Sequence, residues 1–196
     1  MIKFFDIFKN DKTLHSKILN TIKKTFKKGD FIQGEYTKIF EKNFSKFVNA
    51  KYSVGCANGT DALILALKSL DLPKNSEVIL PAMTYCSTIF AVIQSNLKPV
   101  LVDIGTNSPT IDIDQINKNI TKKTKVILPV HLYGSAINIE VIRKLLKKYK
   151  QKIFIIDDCA QAHGALDDKK RNIGSTSDIS CFSLYPGKNL GAYGDA

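Results

Sequence analysis

The sequence predicts an α/β fold in which a mainly parallel sheet is sandwiched by helices, and three observations carry that prediction. From residue 51 onward, short apolar runs alternate with stretches of helical periodicity, the order expected of βαβ units. Most of the runs are apolar throughout rather than at every second residue, as in strands covered on both faces. The distinctive short motifs of the chain fall just after the runs, where open α/β sheets bind ligands.

The elements follow in order. The first 50 residues read as helical: Leu14, Ile18, Ile22 and Phe26 recur every fourth residue, and Gly29 follows as a stop. A second stripe runs through Tyr36, Ile39, Phe40, Phe44 and Phe47. Strand and helix then alternate: 52–56 and 60–70, 77–80 and 87–94, 99–102 and 112–120, 125–130 and 139–149, then strands 153–157 and 179–184. The chain therefore divides into an N-terminal helical segment, 1–50, and a sheet domain, 51–196.

Composition narrows the function. No segment approaches the roughly 20 apolar residues that span a bilayer, and the start, MIKFFDIFKNDK, lacks the unbroken apolar run of a secretion signal. A cytoplasmic protein without membrane contact is expected. The net charge of +11 raises a nucleic-acid partner, but of 29 basic residues only Arg143 and Arg171 are arginines. Arginine is the better fork for phosphates and base edges, and the lysines are scattered over outer helix faces, so no nucleic acid is expected. The four cysteines (Cys56, Cys86, Cys159, Cys181) form no CxxC pair and have no His at ligand spacing. No metal site is expected, and all four read as buried free thiols.

Three motifs carry chemistry. In NGTD, 58–61, a strand gives way through a glycine to a helix whose free N–H groups, with the Thr60 hydroxyl, suit a phosphate. Asp61 would repel that phosphate, and its side chain is expected to cap the helix instead; taken alone, the motif reads more readily as a capped helix without ligand. No GxGxxG or GK[ST] occurs. In FIIDDCAQAHG, 154–164, two carboxylates close an apolar strand and need partners. A protonated pyridine nitrogen, Mg²⁺ or a helix end would each serve, and His163 suits either a cofactor contact or a core hydrogen bond. In SLYPGK, 183–188, Lys188 sits in a Pro/Gly-bounded loop beyond a buried strand, as an ordinary loop lysine or a reactive one. Ser183 is placed to donate to a phosphate.

The series NGTDAL, LPAMTYCST, PVLVDI, LPVHLYG, DDCAQAHGA and FSLYPGKNLGAYGDA, with FIQG at 31–34 and Phe40-Glu41, resembles in order and spacing the DegT/DnrJ/StrS family of pyridoxal-phosphate (PLP) dependent sugar aminotransferases. The resemblance runs from about residue 30 to the end. It implies that residues 51–196 are the PLP-binding large domain of a fold-type I, aspartate aminotransferase-like enzyme. That domain would be incomplete, and the C-terminal small domain absent, in a fragment inactive alone.

By the same resemblance Lys188 is the catalytic, imine-forming lysine, and Asp158 faces the pyridine nitrogen. Gln161 lies against the ring hydroxyl, Tyr85 stacks on the ring, and Gly59, Thr60 and Ser183 hold the phosphate. Lys188 would carry the proton between donor and cofactor as general acid–base. Its presence, where some members have His and dehydrate, points to transamination. The implied partners are a nucleotide-linked keto-sugar, an amino donor such as glutamate and a second copy in a homodimer. The implied purpose is polysaccharide or amino-sugar biosynthesis, with the KNLGAYGDA form closer to members that aminate a 3-keto position. A non-catalytic regulator on the same fold is the alternative.

Overall fold

The computed structural model describes residues 12–196; the helical expectation for 1–11 lies outside the described residues. The described chain forms two compact units, one of residues 12–46 with 51–55, the other of 47–50 with 56–196.

In the first unit, helix α1 (Lys12–Lys28) stops at Gly29, whose φ of +67° a side chain would resist. Helix α2 (Glu35–Phe47) opens where the Asp30 carboxylate accepts the Glu35 N–H at 2.8 Å. The α1 periodicity is as expected, yet Leu14, Ile22 and Phe26 are exposed. The expected strand at 52–56 does not form. Glu41 takes up this segment instead, accepting the Ser53 hydroxyl at its carbonyl (2.5 Å) and the Gly55 N–H at its carboxylate (2.8 Å). The chain there joins no ladder.

The second unit runs α3 (Gly59–Ser69), β1 (Glu77–Pro81), α4 (Cys86–Gln94), β2 (Lys98–Val102), α5 (Ile113–Asn119), β3 (Thr124–Ile127), α6 (Ile139–Leu146), β4 (Phe154–Asp158) and β5 (Ile179–Cys181). The five strands pair in parallel in the order β2-β1-β3-β4-β5. Alternation along each strand divides the core between two faces. Val78, Leu80, Val126, Leu128 and Ile156 pack with Leu63 and Leu67 of α3 and Val92 of α4. Ile79, Ile127 and Ile155 pack with Ile116 of α5 and Ile139 and Ile142 of α6. Both faces are thus covered, which is why the runs read as apolar throughout.

Two strands end earlier than their apolar runs, for local reasons. β3 closes at Ile127, before Pro129, which has no N–H for a ladder; the chain rejoins β4 at a single Val130–Asp158 bridge. Beyond β5 the Leu184 N–H turns to the Ala196 carbonyl and its own carbonyl accepts from Ala192, folding the lysine loop back on itself. The thiols also divide differently from expectation. Cys159, just after β4, and Cys181, at the end of β5, are buried, and burial pushes both well above the usual thiol range. Cys56 is half-buried, and Cys86, at the solvent side of the α4 start, is exposed.

The chain passes from β1 outward to β2 and then returns to the far side of β1 for β3. That reversal opens a crevice at the C-terminal ends of β1 and β3, the place where such sheets bind ligands.

Candidate active site

A cavity of about 660 Å³ occupies this crevice. Gly59, Thr60, Tyr85, Asp158, Gln161, Ser183 and Lys188 all line it, so the seven residues singled out in the sequence are brought together from four separate segments. His163 is not among the lining residues. Its ring packs 5.3 Å from that of Phe182, and burial holds its pKa down against contacts with the Asn189 side chain and the Ser183 backbone. It belongs to the packing beneath the lysine loop.

One wall is the start of α3. Asn58, not Asp61, caps this helix: its side-chain oxygen accepts the Asp61 N–H at 2.8 Å, and its amide donates to the Asp61 carboxylate at 3.2 Å. Asn58 precedes the helix in extended conformation, where its oxygen can reach back to a free N–H, whereas Asp61 already lies in the first turn. A Cβ on Gly59 would stand 2.7 Å from the Cβ of Ser183. Glycine is therefore what lets the chain after β5 approach the helix N-terminus, where N–H groups and hydroxyls of a kind that suits an anion lie together. Thr60 donates to the Ser87 hydroxyl at 2.9 Å across the gap between α3 and α4.

The floor is Asp158, at the end of β4. Burial pushes its carboxyl above the ordinary range, opposed by the Thr88 hydroxyl on Oδ2 (2.8 Å), the Ala160 N–H on Oδ1 (3.1 Å) and the charge of Lys188. Its neighbour Asp157 is wholly buried and lies with Oδ2 3.4 Å from Nε2 of His131, which is equally buried. Nδ1 of His131 accepts the Ile137 N–H at 3.1 Å, so the ring proton sits on Nε2, facing Asp157. Among the described residues, His131, Asp157 and Cys159 bring three possible ligand atoms within 4.8 Å of one another. Burial, with the charges of the two carboxylates, pushes the Cys159 thiol well above the usual thiol range.

The remaining sides are loops. Gln161 accepts the Tyr133 N–H at Oε1 (2.8 Å), which leaves its NH₂ as the end free to donate. Tyr133 holds a left-handed backbone (φ +56°) inside the turn Leu132–Gly134 to make that contact. Tyr85, exposed at the head of α4, forms part of the rim. Lys188 is half-buried, in a turn closed by its N–H on the Tyr185 carbonyl at 2.8 Å. Thr84, Ser87, Thr88 and His131 also line the cavity and were not singled out in the sequence. A signal existed for one pair: Thr84 and Thr88 are four apart at a helix start, and Thr88 interrupts an apolar face.

Residues 12–196 match the DegT/DnrJ/EryC1/StrS aminotransferase family. The chain belongs to this family. It is 42% identical over 184 residues to dTDP-3-amino-3,6-dideoxy-α-D-galactopyranose transaminase of Aneurinibacillus thermoaerophilus, a match covering 94% of the chain and 50% of that relative. Among solved structures it resembles DesV of S. venezuelae in complex with a ketimine intermediate, at TM-score 0.93 and 36% identity, over 99% of the chain and 52% of DesV. It also resembles NtdA of Bacillus subtilis with bound cofactor PMP, at TM-score 0.87 and 35% identity, over 99% of the chain and 43% of NtdA. The chain spans about half the length of these DegT/DnrJ/EryC1/StrS relatives. No helix among the described residues is long and apolar enough to cross a membrane.

Proposed function

We propose that this family member is the cofactor-binding part of a PLP-dependent aminotransferase that moves an amino group, from a donor such as glutamate, to the keto group of a nucleotide-linked sugar. The observation that carries the reading is the convergence of an anion cradle, a buried carboxylate and a half-buried lysine on one cavity. The cradle at Gly59 and Ser183, which a Cβ would fill, fits a phosphate, and the Asp158 floor fits a cationic ring nitrogen. Bound PLP supplies an electron sink that lets the α-proton of an amino acid be lost.

The roles of the chain's own residues follow. The N–H groups at the α3 start, with the hydroxyls of Thr60 and Ser183, hold the phosphate. Asp158 accepts from the ring nitrogen, and the fixed NH₂ of Gln161 donates to the ring oxygen. Tyr85 covers the ring face. Nζ of Lys188 would hold the cofactor covalently, and the same amine, when free, would move the α-proton as general acid–base. Within the substrate class, the 3-keto position is the narrower proposal, supported by the KNLGAYGDA sequence and by the relative named for a 3-amino sugar. A helical segment at 1–50 and a cofactor domain from 51, a homodimer and a cytoplasmic setting complete the proposal; free thiols at all four cysteines support the last.

The test is to mix protein expressed from the whole gene with PLP, reduce with borohydride and map the adduct by mass spectrometry. Label at Lys188 is expected. No label, or label spread over surface lysines, would turn the reading to a regulator on the same fold. Gly59→Ala places a methyl group into the cradle and is expected to weaken PLP uptake roughly tenfold or more, about 1–2 kcal/mol of lost binding. Equilibrium dialysis measures it.

A further inference from the structure

Thr88 is wholly buried on α4, whose other buried residues are Ala91 and Val92. A hydroxyl in such a place is costly unless it is bonded. It is bonded twice: its Oγ1 lies 2.8 Å from Oδ2 of Asp158 and 2.7 Å from Oγ1 of Thr84. An ionised carboxylate only accepts, so the single proton of Thr88 goes to Asp158, and the proton between the two hydroxyls must come from Thr84. The chain therefore has a direction, from Thr84 at the cavity wall through Thr88 to Asp158. With the Ala160 N–H on Oδ1 at 3.1 Å, both carboxylate oxygens are held and the group cannot rotate.

We infer that Thr88 is a positioning residue for the site's acid: backed by Thr84, it fixes the Asp158 carboxylate so that its remaining lone pairs face a cationic ring nitrogen in the cavity. The inference rests on the PLP reading above and goes beyond it in naming what orients the acid. The competing role for Thr88 is to fill space under α4. The two roles separate chemically, because valine keeps the volume and loses the hydroxyl, whereas serine keeps the hydroxyl and loses a methyl.

The experiment uses the protein from its whole gene, freed of cofactor, and measures affinity for PLP and for a deaza analogue with carbon in place of the ring nitrogen. The melting temperature of each apo variant is recorded alongside. Thr88→Val is expected to lose roughly tenfold to a hundredfold in PLP affinity, the range for a hydrogen bond to a charged group. Thr88→Ser is expected to stay within about threefold of wild type, and Thr84→Val to fall between them. The deaza analogue, which offers Asp158 nothing to bind, is expected to bind wild type and Thr88→Val alike. Thr88→Val matching wild type for PLP, Thr88→Ser failing as badly as Thr88→Val, or equal losses for both ligands would each overturn the inference alone. Wild-type protein that takes up no PLP would overturn the proposed function, and this inference with it.

Discussion

Lys188→Ala is expected to abolish amino transfer, lowering turnover by more than about a thousandfold, because it removes both the covalent link and the proton carrier. The half-buried amine of the lysine loop is the side chain to which the proposed mechanism assigns both tasks. Its loss leaves the Gly59–Ser183 cradle and the Asp158 floor in place, so PLP uptake is expected to persist while the borohydride label disappears. A small primary amine added to the variant can occupy the vacated volume and carry the proton, and partial rescue that grows with the basicity of the amine is expected. Single-turnover assays with glutamate measure both effects. Full turnover in the alanine variant would end the assignment.

Asp158→Asn is expected to lower turnover roughly a hundredfold to a thousandfold, the effect of taking one member from a buried charge pair. Asparagine keeps the shape and can still bond to Thr88 and Ala160, but it cannot stabilise a protonated ring. The stability effect runs the other way. Burial raises the Asp158 pKa in the folded apo protein, so the stability linked to this group is fully present below its unfolded pKa. That stability is lost as pH rises through the folded value. At neutral pH the ionised group is a burden on the empty fold, and Asp158→Asn is expected to leave the apo melting temperature unchanged or higher. Asp157→Asn serves as the contrast. Asp157 faces His131 rather than lining the cavity, so its replacement is expected to spare turnover. Reversal of the two phenotypes would show that the wrong acid has been assigned.

Much of this was legible in the sequence because the information is local. Apolar runs such as EVIL at 77–80 report a strand covered on both faces, and residues just beyond them must sit at the sheet edge where ligands bind. The expected strands and helices of the sheet unit accordingly appear within a few residues, and the seven candidate residues share one cavity. What was not legible depends on partners far away in the chain. Thr88 reads as one polar residue in an apolar helix until Asp158, seventy positions on, is placed against it. Residues 52–56 have strand composition, yet Glu41 holds the Ser53 hydroxyl and the Gly55 N–H and no ladder forms. The cap of α3 turned on backbone geometry that composition does not encode, which is why Asn58 rather than Asp61 fills it. The α1 stripe predicts a helix correctly but not what covers it.

The all-parallel pairing of the sheet also governs when the site can come into existence. Parallel neighbours cannot be joined by a tight turn, so each pairing waits for a long crossover to close. The cradle is the extreme case, since Gly59 lies at the start of α3 and Ser183 just beyond β5. Folding is therefore expected to be slow, with the anion site absent from any intermediate that lacks β5. A ligand that recognises only the finished cradle draws the population toward the native state by mass action. Cofactor supply during synthesis would then govern how much of the protein a cell accumulates, before it governs how fast any of it turns over.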